Sequence, residues 1–292
     1  MLIIEKLVSW MDTAPAEKRA KAAGALVRAW QVAELTAEQR ESAEAAMTCM
    51  LDDPDDDVRL ALSTALAEAI EPPRHLVLAL AEDSPEISLP VLAQSPSLVD
   101  GELVHLVEKG TDEQQAAIAR RQSLTEGVSA ALAEHGCRFA CLIMATNPAA
   151  RITEDSFYVM AERFGGCSHA RQCLFARPDI GMRARTLLIE KYAASLAAET
   201  EMDRPAREIE TVEIAEKAII TYAAEVGDGE NRQIVEALIK REKLTTAFLL
   251  RAICMGNLTL YCHALSVLSG QAPDRVERVL KDHRANAFHA IY

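Results

Sequence analysis

Residues 51–83 read LDDPDDDVRLALSTALAEAIEPPRHLVLALAED, and this stretch decides the fold class. Asp55, Asp56 and Asp57 precede a run whose apolar residues fall at the i, i+3, i+4 and i+7 spacing of one helix face. That face consists of Val58, Ala61, Leu62, Ala65, Leu66 and Ala69. A second apolar run follows around Leu80. The stretch therefore predicts two short helices joined by a turn.

The same pattern recurs along the chain at an interval of 26 residues. Alanine occupies four positions at this spacing: Ala67, Ala93, Ala119 and Ala145. Each follows a large apolar residue, namely Leu66, Leu92, Ile118 and Met144. A second apolar series lies half a repeat later, at Leu80, Leu106, Leu132 and Tyr158. Two helices of about nine residues with short turns fill such an interval. One pair cannot bury its own apolar face, so the pattern predicts stacked pairs, an α-solenoid.

Residues typical of helix ends lie between these runs. Ser84-Pro85-Glu86 predicts a cap, a proline in the first turn and an acid at the positive end of the helix dipole. Further N-terminal caps are predicted at Asp100, Thr111, Thr125 and Thr153. Helix ends in the left-handed conformation are predicted at Gly110, Gly136 and Gly165-Gly166.

The amino-acid composition and one polar segment predict the fold class and the domain organisation. Half of the residues are apolar but only 4% are aromatic, which indicates an all-α core of Ala, Leu, Val and Ile. We expect capping helices in residues 1–51, HEAT-like repeats in 52–198 and a helical subdomain in 207–292. The polar segment 199–206 is the expected linker.

The charge pattern indicates what kind of partner the chain binds. Residues 206–292 carry 11 Lys and Arg against 12 Asp and Glu, a net charge of −1, so residues 1–205 carry −12 of the total of −13. Nucleic-acid binding rests on Lys and Arg contacts to phosphate, so nucleic acid is excluded as the expected partner. An acidic surface favours a protein or peptide with a basic face.

Features of the termini and cysteines indicate a cytoplasmic location. Seven cysteines, without the spacing of a small disulfide-linked domain, are typical of a reducing compartment. The N-terminal run MLIIEKLVSWMD contains Glu5 and Lys6, which favours an amphipathic helix over a signal peptide.

Several segments resemble a known family. The stretch 51–83 resembles a HEAT-type unit in its acidic turn and Val-Arg pair. More particular are SPEISLPVLAQSPSLVDGELVHLV (84–107), QQAAIARRQSLTEGVSAALAEHG (114–136) and FLLRAICMGNLTLYCHALSVLSGQAPDRVERVLKDHRANAFHAIY (248–292). Together they are similar to a bacterial, mainly alphaproteobacterial, family known as domain of unknown function 2336. The resemblance implies the fold and a bacterial origin, but no activity, and members of that family often continue beyond the position that corresponds to Tyr292.

Catalytic and metal-binding chemistry is not favoured by the residues. A zinc site is conceivable from the cysteines and histidines at His135, Cys137, Cys141, Cys167, His169 and Cys173. No Cys-x-x-Cys pair is present and their neighbours are apolar, so we expect core cysteines and no metal or other cofactor. HEAT-like di-iron enzymes repeat a His-Glu dipeptide, which this sequence lacks. HEAT-like base-excising enzymes need a basic, aromatic-lined face, which this composition does not supply.

Two sets of residues are candidate sites. The first recurs near the ends of repeat helices and predicts a partner-binding edge: Arg120, Arg121, Asn147, Arg177 and Asp179. Its alternative is a set of solvated helix ends and caps. The second lies in the nearly uncharged segment 245–270, where a pocket is predicted from Arg251, Asn257, Tyr261 and His263. There the length favours two buried helices over a membrane hairpin, and Arg251 is expected to pair with an internal acid.

The sequence thus predicts a non-catalytic scaffold or adaptor that binds another protein. Two alternatives stay open. One is a small-molecule sensor or enzyme with a pocket between the solenoid and the C-terminal subdomain. The other is peripheral attachment to a membrane through segment 245–270. The sequence also leaves the oligomeric state open.

Overall fold

The computed structural model describes residues 9–11, 13–32, 35–198 and 204–281, and these are helical apart from their turns and one isolated bridge between Leu124 and Ala150. Contacts divide the chain into two compact units, residues 1–156 and 157–292. The first unit contains nine described helices: α1 (Ala16–Val32), α2 (Ala37–Leu51), α3 (Asp56–Ala67), α4 (Arg74–Ala81), α5 (Pro85–Gln94), α6 (Asp100–Lys109), α7 (Asp112–Ala119), α8 (Glu126–His135) and α9 (Arg138–Thr146). Helix α10 (Glu154–Phe164) begins at the end of this unit.

The second unit continues α10 and adds seven described helices. They are α11 (Ser168–Phe175), α12 (Met182–Ala198), α13 (Arg204–Glu225), α14 (Asp228–Lys240), α15 (Thr246–Cys254), α16 (Leu258–Ser269) and α17 (Pro273–Lys281). Helix α12 packs against α13 and α14, which places it in this unit. The predicted division at 199–206 lies within the same unit, and residues 199–203 are outside the described part.

In the first unit, alternate helices contact one another. Helix α3 contacts α1 and α5, α7 contacts α5 and α9, and α8 contacts α6. The recurring apolar residues lie inside: Leu66, Leu92, Ile118 and Met144 have no exposed surface. Of the alanines, Ala67, Ala119 and Ala145 are buried and Ala93 is half-buried. The 26-residue apolar pattern therefore marks core positions.

The second apolar series is wrong at its last position. Leu80, Leu106 and Leu132 are buried as predicted, but Tyr158 is only half-buried. The fully buried side chain is the preceding one, Phe157. A ring with no polar group is the better choice for a site without solvent, whereas a tyrosine hydroxyl needs a hydrogen-bond partner.

Arg59 pairs with an aspartate in its own helix and with another 24 residues later in the chain. Its Nε donates to Asp83 Oδ2 at 2.9 Å and its Nη2 to Asp56 Oδ1 at 2.6 Å. Arg19 holds the buried Asp53 through two hydrogen bonds of 2.8 and 2.9 Å. Burial alone would raise the pKa of Asp53, but the hydrogen bonds from Arg19 and from the Asp55 N–H outweigh it and lower that pKa below its usual value.

The predicted helix ends are partly confirmed. The hydroxyl groups of Thr111 and Thr125 accept hydrogen bonds from backbone N–H groups in the first turns of α7 and α8. Asp100 is the first residue of α6, which is capped at Val99, so the prediction of a cap there is wrong. Instead, its carboxylate accepts a hydrogen bond of 2.8 Å from the Thr125 hydroxyl.

The prediction of left-handed glycines is wrong in the first unit. Gly110 and Gly136 end their helices in extended conformations, with φ of −74° and −63°. A Cβ atom at Gly110 would clash with the carbonyl oxygen of Leu106, and one at Gly136 with that of Leu132. Both positions thus require glycine because a carbonyl oxygen lies too close for a Cβ atom, and not because of their φ angle. Gly165 and Gly166 also lack a positive φ; among the described glycines only Gly256 and Gly270 have one.

The second unit has its own apolar core. Helices α13 to α16 enclose the buried side chains of Ile219, Ile220, Ile234, Val235, Leu238, Phe248, Ala252, Leu260 and Ala264. The region predicted to be helical is so over its described part, residues 204–281, apart from the turns.

Candidate functional site

The first predicted site begins with two adjacent arginines that differ in burial: Arg120 is exposed and Arg121 is buried. Arg121 is buried, and its two terminal nitrogens donate to the backbone oxygens of Leu92 and Ser95, each at 2.6 Å. These oxygens lie at the C-terminal end of α5, where the helix dipole favours a positive charge. Burial lowers the pKa of Arg121, opposed by the charge of Asp100.

Asn147, 26 residues after Arg121 in the chain, has an equivalent role. Its Nδ2 donates to the backbone oxygens of Ala119 and Arg121, at 3.0 and 2.9 Å, at the end of α7. Its Oδ1 accepts the N–H of Ala149 at 2.9 Å. Arg121 and Asn147 therefore each cap the end of an earlier helix in the first unit. A role in partner binding stays a prediction.

Arg120 is exposed to solvent. Its guanidinium lies 5.8 Å from the centroid of the Phe139 ring, and the Phe139 side chain is 58% exposed. Arg177 and Asp179 belong to the second unit, where they form a bidentate pair of 2.8 and 2.6 Å. Arg177 is buried and its guanidinium lies 5.8 Å from the centroid of the Phe157 ring.

The second predicted site is not assembled as one pocket. Arg251 pairs with Glu213 at 3.3 Å and with Glu216, so the expected pairing with an internal acid is confirmed. Asn257 is buried and caps α16: its Oδ1 accepts the Leu260 N–H at 3.0 Å. Its Nδ2 donates to the backbone oxygen of Ile220 at 2.9 Å. Both side chains stabilise the packing of the second unit.

The other two residues of that site, Tyr261 and His263, line one cavity of about 730 Å³. This cavity is formed by residues from the start of α14 and from α15, α16 and α17: Asp228, Ile253, Leu258, Thr259, Tyr261, Cys262, His263, Pro273, Asp274, Glu277 and Leu280. His263 Nε2 lies 3.6 Å from Asp228 Oδ1. Asn257 lines a neighbouring cavity, and Arg251 lines neither of the two.

Exposed apolar side chains continue from this cavity over the turn between α15 and α16. We call Leu250, Ile253, Met255 and Leu258 the apolar tip; their side chains are 58%, 38%, 43% and 59% exposed. Ile253 and Leu258 also line the cavity. The two predicted helices of segment 245–270 are confirmed. They were expected to be buried, but part of their apolar surface is exposed. Sequence reasoning missed this surface, and its one signal was the almost complete lack of charge.

The cysteines are consistent with packing roles. Cys141 is buried, with its sulfur 3.1 Å from the Leu132 oxygen, and Cys173 is buried as well. Burial raises the pKa of the Cys173 thiol, as does the neighbouring Cys167. Cys137 and Cys167 are half-buried. Within the described ranges, no three His, Cys, Asp or Glu side chains are grouped so that they could hold a metal ion.

None of the described helices combines the length and the apolar composition needed to cross a bilayer. Comparison with known families gives one match, to a model described as an uncharacterised protein conserved in bacteria, DUF2336, over residues 87–292. Comparisons with curated proteins and with solved structures found no match.

Proposed function

The chain belongs to the bacterial family DUF2336, and we propose that it is a non-catalytic scaffold that binds another protein. The apolar tip carries this proposal. Contiguous apolar side chains that stay exposed on a folded surface are typical of interaction sites. Two of these four side chains, Ile253 and Leu258, also line a cavity, so burying this surface against a partner would gain free energy.

The first unit supports the proposal through its architecture. We infer that its helices form an α-solenoid of HEAT-like pairs with a period of about 26 residues, because alternate helices contact one another and Arg121 and Asn147 repeat the same cap. Stacked pairs of this kind present extended surfaces, which suits a binding role. Arg120 of the predicted edge is exposed, and its guanidinium lies beside the exposed ring of Phe139.

The chemistry of the partner follows from charge. With a net charge of −13, the protein favours a partner with a basic face, and their association should weaken with added salt. The same charge disfavours nucleic acid. We place the protein in the cytoplasm on its composition.

Affinity capture with matched variants tests the proposal. The full chain is immobilised and compared with a tip variant, L250S/I253S/L258S, against lysate of a bacterium that encodes it. The control I70S/V99S/I209S removes equally apolar side chains that are 86%, 46% and 63% exposed elsewhere. We expect proteins that the unmodified chain and the control retain and the tip variant loses. Identical captured sets for all three chains would refute a binding role for the tip.

A further inference from the structure

We propose that the apolar tip and its cavity bind an amphipathic helix whose polar flank carries lysine or arginine, supplied by a partner protein. This inference rests on the proposed binding function and specifies the chemistry of the partner. Amphipathic helices bind to apolar grooves through anchors at positions i, i+3, i+4 and i+7.

The shape of the surface favours a helix over a small molecule. A volume of 730 Å³ alone would suit either a small ligand or a few anchor side chains. The apolar surface, however, does not end at the cavity, since Leu250 and Met255 continue it outside. A ligand confined to the cavity would leave those two side chains in water, whereas a helix lying across the turn covers both.

This surface lacks the structural features that other modes of peptide recognition need. Strand addition needs a sheet edge, and across the described residues the nearest feature is the isolated bridge between Leu124 and Ala150, in the other unit. Proline-rich peptides need a groove lined by several aromatic rings, and among the residues that the structure describes Tyr261 is the one Phe, Tyr or Trp that lines this cavity.

The charges around the cavity specify a basic flank. Asp228 and Asp274 line the cavity together with Glu277, and the Asp228 side chain is 85% exposed. No lysine or arginine lines it among the residues that the structure describes. Arg275 and Arg278 also lie on α17 but do not line the cavity, and Arg278 Nε donates to the backbone oxygen of Asp274. A partner with lysines beside its apolar face would therefore meet carboxylates.

The same charges disfavour a second copy of the chain as the occupant. In a symmetric dimer the same surface lies on both sides of the interface, so the carboxylates of one copy would approach those of the other. The net charge of −13 adds to this repulsion.

Two designed peptides test the inference against the full chain. One is a fluorescein-labelled helix with leucine at i, i+3, i+4 and i+7 and lysine elsewhere; the other has the same leucines with glutamate for lysine. Binding is measured by fluorescence anisotropy at low and high salt. We expect the lysine peptide to bind at least about ten times more tightly at low salt, and salt to reduce the difference.

Matched variants locate the binding. D228N/D274N should weaken the lysine peptide by about 3- to 10-fold, because each exposed pair is worth little on its own. The control D52N/D57N removes the same charge from the first unit and should leave the affinity unchanged. I253S/L258S should weaken binding more than tenfold, since buried anchors dominate such interfaces. Far-UV circular dichroism confirms that each variant is folded.

The outcomes separate this inference from the proposed function. Equal affinity for both peptides, or equal effects of D228N/D274N and its control, would overturn the inference, while a captured set that depends on the tip would still support a scaffold. A concentration-dependent dimer that I253S/L258S abolishes in sedimentation would assign the surface to a second copy. Tip-dependent co-flotation with phosphatidylglycerol vesicles would assign it to a membrane. Either result contradicts a peptide partner.

Discussion

Replacing Arg121 with alanine is the sharpest test of the capping arrangement. The buried guanidinium satisfies the oxygens of Leu92 and Ser95 at 2.6 Å each, and an alanine leaves both without that donor. A buried polar group that loses its partner costs about 1–3 kcal/mol. The variant also removes a buried charge, whose desolvation opposes folding, and this offsets part of the loss. We expect R121A to lower the free energy of unfolding by about 2–4 kcal/mol.

Urea titration followed by far-UV circular dichroism measures this change. With a dependence of about 1–3 kcal/mol per molar urea, the transition of the first unit should move down by roughly 1–2 M. Hydrogen exchange read by mass spectrometry should locate the loss of protection at the end of α5. The urea titration gives the size of the effect, and loss of protection at the end of α5 identifies the lost hydrogen bonds as its cause.

Arg120 provides a control at the neighbouring position. R120A removes an exposed guanidinium above the Phe139 ring, an interaction worth about 0.5–1 kcal/mol. If R121A and R120A destabilise the protein equally, or R121A costs less than about 1 kcal/mol, the capping argument is refuted.

Three further predictions concern acid, backbone and thiol chemistry. D53N should make the melting temperature less dependent on pH between about 5 and 3. The folded pKa of Asp53 lies below the unfolded value of about 3.9, so the stability it contributes is present at higher pH and lost as pH falls through the folded pKa. G256A should cost about 1–2 kcal/mol by calorimetry, because φ is +79° there, whereas G127A in α8 should stabilise by about 0.5–1 kcal/mol. Mass spectrometry after brief iodoacetamide treatment should find Cys254 alkylated before Cys173, since Cys254 is exposed and burial raises the Cys173 pKa.

Each of these has an outcome that contradicts it. D52N changes an exposed neighbour and should keep the full pH dependence, so equal flattening in both variants would remove the role of Asp53. Equal stability of G256A and G127A would contradict the conformational argument. Alkylation of Cys173 at the rate of Cys254 would show that its thiol is accessible.

The helices could be predicted from sequence because the signals are local. Apolar periodicity and the caps at Thr111 and Thr125 depend on neighbours within a few residues, and the structure has both caps where the sequence predicts them. The role of Arg121 could not be predicted, because its acceptors are 29 and 26 residues away in the chain. The sequence alone does not distinguish an arginine that will be exposed from one that will be buried.

The candidate site shows the same limit. An apolar pattern records which residues avoid water, and burial against the chain itself is the default explanation. Ile253 and Leu258 instead remain exposed, although α17 packs against α16. Predicting that surface requires knowing which helix faces are already occupied.

The direction of the caps has a consequence for synthesis. Arg121 completes α5 and Asn147 completes α7, so in both cases a later residue finishes an earlier helix. A nascent chain that has released α5 but not yet residue 121 carries two carbonyl groups that only water can satisfy. Ribosome-bound intermediates that end just after α5 or just after α7 should therefore have a frayed last helix, and each of these two helices should become fully ordered only after its capping residue has been translated.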